Sequence, residues 1–316
     1  MLGSSEANEI VEAKVFPKSR VGDRPRFLAA CGLRLGLALA LGACAEVPVN
    51  LRSEGPKVAL LDGRKVHYSV TGRSGPVLVL VHGWACDERV WWKNVPALSQ
   101  SHCVMAIDLP GHGQSAPPAR PYDMSLFADG IAAVLDAEGV DQAVLIGHSN
   151  GVPAVRQFYR KYPHRCARLV LIDGPLELMV PAEQVSPIEQ AFEAPEFAAT
   201  VAQFVASMPA PHLAQADRAR IAEIAASQSQ SAVLGGFRAA VDPTIWGRDP
   251  ITIPVLMINA HQPAWSPEYE DYVRELIPKL DYRVLSDVGH FIMVERPEMV
   301  NEWLSEFVRP VPREVR

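Results

Sequence analysis

Apolar residues in this chain fall into short unbroken runs separated by stretches of helical spacing. Val58-Ala-Leu-Leu61 and Lys65-Val-His-Tyr-Ser-Val70 flank Asp62-Gly63, a dipeptide that tolerates positive φ at both positions, so the segment predicts a hairpin. Pro76-Val-Leu-Val-Leu-Val-His82 is apolar without alternation, as a strand covered on both faces must be. Similar runs follow at Cys103-Val-Met-Ala-Ile107, Ala143-Val-Leu-Ile146, Leu169-Val-Leu-Ile172 and Val255-Leu-Met-Ile258. Between them Phe127, Ile131, Val134 and Leu135 recur at helical spacing, as do Met299, Trp303 and Phe307 near the C-terminus. Strands alternating with amphipathic helices predict an α/β fold, a mostly parallel sheet flanked by helices, with its chemistry at the carboxyl ends of the strands. One segment breaks the rhythm. From Leu176 to Arg248 there is only Ala-rich helical pattern, including Phe197, Val201, Phe204, Val205 and Met208. It lies between two sheet strands and is expected to be a helical cap, 176–248, inserted into a core made of 51–175 and 249–316.

Composition narrows the function classes. At 316 residues and 48% hydrophobic content the chain can bury a large core. A formal charge of -6 gives no reason to expect nucleic acid or an anionic membrane surface as partner. The five cysteines include no C-x-x-C pair, so no metal centre is expected. Residues 1–50 look like an export leader. Basic residues lie between Lys14 and Arg34, and the apolar run from Leu35 to Ala43, too short to span a bilayer, leads into Cys44. Leu41-Gly-Ala-Cys44 resembles a bacterial lipobox, which implies membrane attachment through a lipidated Cys44. Ala43-Cys-Ala45 equally suits ordinary signal cleavage, and Glu6, Glu9, Glu12 and Asp23 ahead of the apolar run leave a cytoplasmic reading open.

The strongest chemical signal is Gly147-His-Ser-Asn-Gly151, a G-x-S-x-G between a predicted strand and a predicted helix. So tight a turn requires small residues beside the serine. It lifts Ser149 to a helix N-terminus, where the dipole and free N–H groups favour developing negative charge. A base must reach that hydroxyl. Of nine histidines, His290 alone follows a glycine on a loop after a late strand, in Leu285-Ser-Asp-Val-Gly-His290.

From Lys57 to Val308 the chain resembles the α/β-hydrolase superfamily, including the turn Asp108-Leu-Pro-Gly-His-Gly-Gln-Ser115, which is structural in that family. The resemblance implies an eight-stranded sheet and a triad in the order Ser149, acid, His290. At His82-Gly-Trp84 the family places half of its oxyanion hole, which implies the backbone N–H groups of Trp84 and Asn150 as donors. The acid departs from the usual pattern. Most members carry an aspartate after the strand matching Val255–Ile258, but here that loop reads Asn259-Ala-His-Gln-Pro-Ala-Trp265. The other family location is the end of the preceding strand, which implies Asp173. Asp287 and Glu268 are the alternatives.

A serine where related dehalogenases and epoxide hydrolases carry an aspartate favours acyl transfer. The expected reaction is hydrolysis of a small carboxylic ester or lactone without a cofactor. Carbon–carbon bond hydrolysis and perhydrolysis use the same triad, and a non-catalytic ligand receptor on this fold is an alternative of another class. Phe204 and Trp246 are expected to line the substrate pocket from the cap.

Overall fold

The computed structural model of the chain describes residues 54–309. Strand β1 (Gly55–Leu61) turns into β2 (Arg64–Thr71) through Asp62 and Gly63, whose φ values of 50° and 72° are those of the primed hairpin turn. Next come β3 (Val77–Val81), the short helix α1 (Val95–Leu98), β4 (Cys103–Ile107), α2 (Met124–Glu138), β5 (Ala143–His148), α3 (Gly151–Lys161) and β6 (Cys166–Ile172). Four helices precede the next strand: α4 (Ala182–Glu193), α5 (Phe197–Ser207), α6 (Gln215–Ala226) and α7 (Gln230–Val241). The chain then forms β7 (Val255–Ala260), α8 (Pro267–Leu276), β8 (Leu280–Leu285), α9 (Ile292–Glu295) and α10 (Pro297–Val308). The strands make one sheet in the order β1-β2-β4-β3-β5-β6-β7-β8. All pairings from β4 to β8 across the sheet are parallel, and β1 and β2 are antiparallel.

The unbroken apolar runs are explained by two cores. Along β3, Val77, Val79 and Val81 enter one cluster with Phe127, Val155, Phe158 and Val273, while Leu78 and Leu80 enter the other with Leu98, Val300 and Leu304. Each such side chain contributes about 1.5–3 kcal/mol when fully buried. The sheet therefore carries helices on both faces, and β3, β5 and β6 all end at the same edge.

The helical stripe expected near the C-terminus is displaced by one residue. In α10 the buried positions are Val300, Leu304 and Val308, while Met299 is 37% exposed. The Arg283 guanidinium lies over the Trp303 ring at 4.8 Å, and Arg168 over Phe307 at 5.4 Å. Trp303 and Phe307 thus flank the core and cover cationic stems, an interface that spacing alone does not distinguish from the core.

Helices α4 to α7 bury Phe192, Val201, Val205, Ile221, Ile224 and Val233 against the second core. Both ends of this segment are held by one residue of α3. The buried Arg156 donates to Leu176 O at 2.8 Å and also to Gly247 O. Cys86, Cys103 and Cys166 are buried free thiols. Among the described residues no group of three or more His, Cys, Asp or Glu side chains could hold a metal ion. The leader expected at 1–50, with Cys44, lies outside the described residues.

Candidate active site

Ser149 sits between the end of β5 and the start of α3 with a φ of 52°. A non-glycine residue held there stores strain of about 1–3 kcal/mol, and such strain collects at functional turns. The surroundings enforce it. A Cβ at Gly147 would lie 2.5 Å from Gly151 O, and one at Gly151 would lie 2.5 Å from Val81 O. Ser149 N donates to Ile172 O at 2.9 Å, tying the elbow to β6.

The next residue after β6 is Asp173, buried to 1% exposure and also at positive φ, 42°. Its Oδ2 accepts from His290 Nδ1 at 2.7 Å. Its Oδ1 accepts from Ala260 N at 2.9 Å and Trp265 Nε1 at 2.8 Å, with Gln262 Nε2 at 3.4 Å from Oδ2. The loop after β7 thus lacks an acid of its own and supplies donors to the acid of the neighbouring strand. This pairing fixes the His290 tautomer, because a carboxylate can only accept. His290 Nε2 is left as the free lone pair, on a ring that is partly exposed. No hydrogen bond links it to Ser149 Oγ among the described residues.

His148, inside the elbow, places that ring. Its Nε2 donates to His290 O at 2.9 Å, and the two rings lie 4.7 Å apart. Burial, helped by the nearby His290, pushes the His148 pKa well down, so it is a neutral donor. On the other flank His290 N donates to Pro209 O at 3.2 Å, and the Glu295 carboxylate accepts from Gly289 N at 2.6 Å and His212 N at 3.2 Å. A Cβ at Gly289 would lie 1.6 Å from Pro209 O, which is why glycine precedes the histidine. The Gly289–His290 loop is therefore packed directly on the turn between α5 and α6. His148, Gln262, Trp265 and Glu295 were not singled out from the sequence. The indole and amide of the Asn259–Trp265 loop were the available signal, since a loop without an acid can still donate to one.

After β3, the buried His82 takes the N–H of Leu109 on Nε2 at 3.0 Å and has Nδ1 2.8 Å from Gly83 O. This joins the His82–Trp84 loop to the Asp108–Ser115 turn, where Asp108 accepts from Glu88 N and Gln114 N at 2.8 Å each. A Cβ at Gly83 would approach Ser149 Cβ to 2.9 Å, so this loop lies against the elbow. The N–H groups of Trp84 and Asn150 meet no acceptor among the described residues. Their side chains reach α7 instead: Trp84 Nε1 donates to Val233 O at 2.7 Å and Asn150 Nδ2 to Gly236 O at 3.0 Å.

The remaining sequence candidates are dispersed. Phe204 is 49% exposed, with its ring 5.7 Å from that of Trp84, beside Phe192 at 4.8 Å from the same indole. Trp246 lies beyond α7, donating to Ala240 O at 3.1 Å, and makes no aromatic pair with these rings. Asp287 is 70% exposed and paired with His212. Glu268 is exposed in the first turn of α8, where Ser266 holds its pKa below the usual range. Neither is hydrogen-bonded to His290 among the described residues.

The sequence matches the alpha/beta hydrolase fold family over residues 76–297. The dihydrolipoyllysine-residue acetyltransferase component of the acetoin cleaving system of Cupriavidus necator is 31% identical over 112 residues, 35% of this chain and 30% of that protein. The bifunctional esterase/perhydrolase DCH of Acinetobacter calcoaceticus is 36% identical over 129 residues, 40% of this chain and 47% of that one. Each match spans less than half of the relative. Among solved structures, the esterase RhEst1 of Rhodococcus sp. ECU1013 superposes with a TM-score of 0.70 at 26% identity, covering 80% of this chain and 98% of that one. With its sheet order, its strained strand-to-helix elbow and this match, the chain belongs to the α/β-hydrolase fold family.

Proposed function

We propose that the protein is a serine hydrolase that cleaves a carboxylic ester or lactone through an acyl-enzyme on Ser149. The observation that carries this reading is the buried Asp173 carboxylate bonded to His290 Nδ1 at 2.7 Å, which leaves Nε2 free on a loop bonded to His148 of the serine elbow. Ser149 Oγ attacks the substrate carbonyl while His290 Nε2 takes its proton, and Asp173 stabilises the resulting imidazolium. The tetrahedral oxyanion is held by Trp84 N–H and Asn150 N–H, neither of which has an acceptor among the described residues. Collapse breaks the bond to the leaving alcohol, which takes the proton from His290. Water then repeats the cycle on the acyl-enzyme and releases the acid. For a lactone the alcohol stays tethered, and the product is a hydroxy acid.

The esterase likeness at 26% identity and the esterase/perhydrolase relative support acyl transfer as the reaction class. Perhydrolysis follows the same steps with hydrogen peroxide in place of water. Helices α4 to α7 act as a cap, and Phe192 and Phe204 against Trp84 form an apolar wall that sets substrate range. Export through the leader ending at Cys44 is part of this proposal, tested by mass spectrometry of the mature N-terminus in the native host.

A panel of p-nitrophenyl esters and lactones, with and without peroxide, tests the reading on the purified protein. Turnover is expected for wild type and none above background for Ser149→Ala. Retained turnover in Ser149→Ala would overturn the assignment, and binding without turnover by wild type would favour a receptor.

A further inference from the structure

His112 lies in the Asp108–Ser115 turn and has no part in the scheme above. It is 2% exposed, with its ring 5.1 Å from that of His82 and 5.8 Å from that of Phe127. Its Nδ1 is 3.2 Å from Pro110 O, an atom that can only accept, so Nδ1 carries the proton. Burial, reinforced by His82, pushes the pKa down to about 3, and the ring is neutral. Nε2 is therefore left as the free lone pair, and no hydrogen bond reaches it among the described residues.

What faces this lone pair is the absence of a side chain. α7 carries the pair Gly235-Gly236, and the two glycines differ in kind. A Cβ at Gly235 would lie 2.3 Å from the Tyr122 ring, so packing alone demands that glycine. A Cβ at Gly236 would meet nothing closer than Trp84 Cδ1 at 3.4 Å, His112 Nε2 at 3.5 Å and Asn150 Nδ2 at 3.8 Å. Alanine would fit there and would favour the helix, yet the position is glycine. Glycine at this position leaves His112 Nε2 uncovered by a side chain, in a gap bordered by Trp84 Cδ1 and Asn150 Nδ2. The bonds from Trp84 Nε1 to Val233 O and from Asn150 Nδ2 to Gly236 O tie its two other borders to α7.

We propose that this gap is a subsite for a hydroxyl group on the acyl part of the substrate, with His112 Nε2 accepting its hydrogen bond. The inference rests on the serine-hydrolase reading, because Trp84 and Asn150 border the gap with their side chains and hold the carbonyl oxygen with their N–H groups. A group in the gap is therefore close to the scissile carbonyl, which points to hydroxyls at the 2- or 3-position of the acid. An apolar substituent would fill the space but leave Nε2 unpaired, so the site selects a donor.

The test compares kcat/KM for unsubstituted, 2-hydroxy and 3-hydroxy acyl esters of one alcohol, in wild type, His112→Phe and Gly236→Ala. Wild type is expected to favour one hydroxylated ester over the unsubstituted one by about 10-fold, the worth of one neutral hydrogen bond. In both variants that ratio should fall toward 1, whatever their common effect on all three esters. His112→Phe removes the acceptor and keeps a ring, while Gly236→Ala fills the gap and should not lower the melting temperature, so the two do not share a folding risk. A flat wild-type ratio, or a ratio unchanged in the variants, overturns the subsite. Fluorophosphonate labelling of wild-type Ser149 separates the two failures, since a labelled serine with a flat ratio condemns the subsite alone and an unlabelled serine condemns the hydrolase reading.

Discussion

In the proposed scheme Asp173 is the residue on which the chemistry turns. It is fully buried, and its two oxygens face His290 Nδ1 on one side and the Ala260, Gln262 and Trp265 donors on the other. Asparagine is nearly isosteric but cannot stabilise an imidazolium, and its amide can select the wrong histidine tautomer. Asp173→Asn should lower kcat by roughly 10³ to 10⁴ with little change in thermal stability, by analogy with serine proteases. Asp287 is exposed beside His212 and Glu268 is exposed on α8, so Asp287→Asn and Glu268→Gln should each cost about 10-fold or less. Steady-state kinetics of the three variants decide the matter. Near wild-type turnover in Asp173→Asn, with collapse in either of the others, would move the triad to that residue.

At the level of elements, the strands buried on both faces were legible because a sheet between two helical layers leaves no polar face, and β3 to β7 read as unbroken apolar runs. Strand β8 did not read that way. At the sheet edge it carries Asp281 and Arg283, which pair with each other, and Val284 is 43% exposed. The elbow and the Gly-His loop were legible because their glycines answer to local sterics. The donors that hold Asp173, and the contacts of Glu295, come from distant segments and leave no mark in local pattern. The stripe of α10 was legible in period but not in phase, since Trp303 and Phe307 are as apolar as the residues beside them. That phase is testable by denaturant unfolding. Leu304→Ala should cost about 2–5 kcal/mol, as deletion of a buried leucine does, and Met299→Ala less than about 1 kcal/mol. Equal costs would contradict the assigned face.

For the molecule as a whole, buried histidines tie stability to pH. Burial pushes the pKa values of His82, His102, His112 and His148 down, so these rings stay neutral in the fold while the unfolded chain protonates them near pH 6.5. The unfolded state then binds more protons, and stability falls as pH drops below that value. Two groups oppose this: the hydrogen bond to Asp108 raises His67, and burial raises Glu88, so both take up protons in the fold. With four groups against two, urea unfolding should lose on the order of 2–4 kcal/mol between pH 7 and pH 5. Stability that is constant or rising over that window would mean that the buried rings are charged. The central claim, that Ser149 is a nucleophile activated by His290 and Asp173, is tested most directly by titration with a fluorophosphonate followed by mass spectrometry of the intact and digested protein. Wild type should take up one equivalent at Ser149, Asp173→Asn should label markedly more slowly, and Ser149→Ala should not label. An adduct at another residue, or stoichiometric labelling of Ser149→Ala, would contradict it.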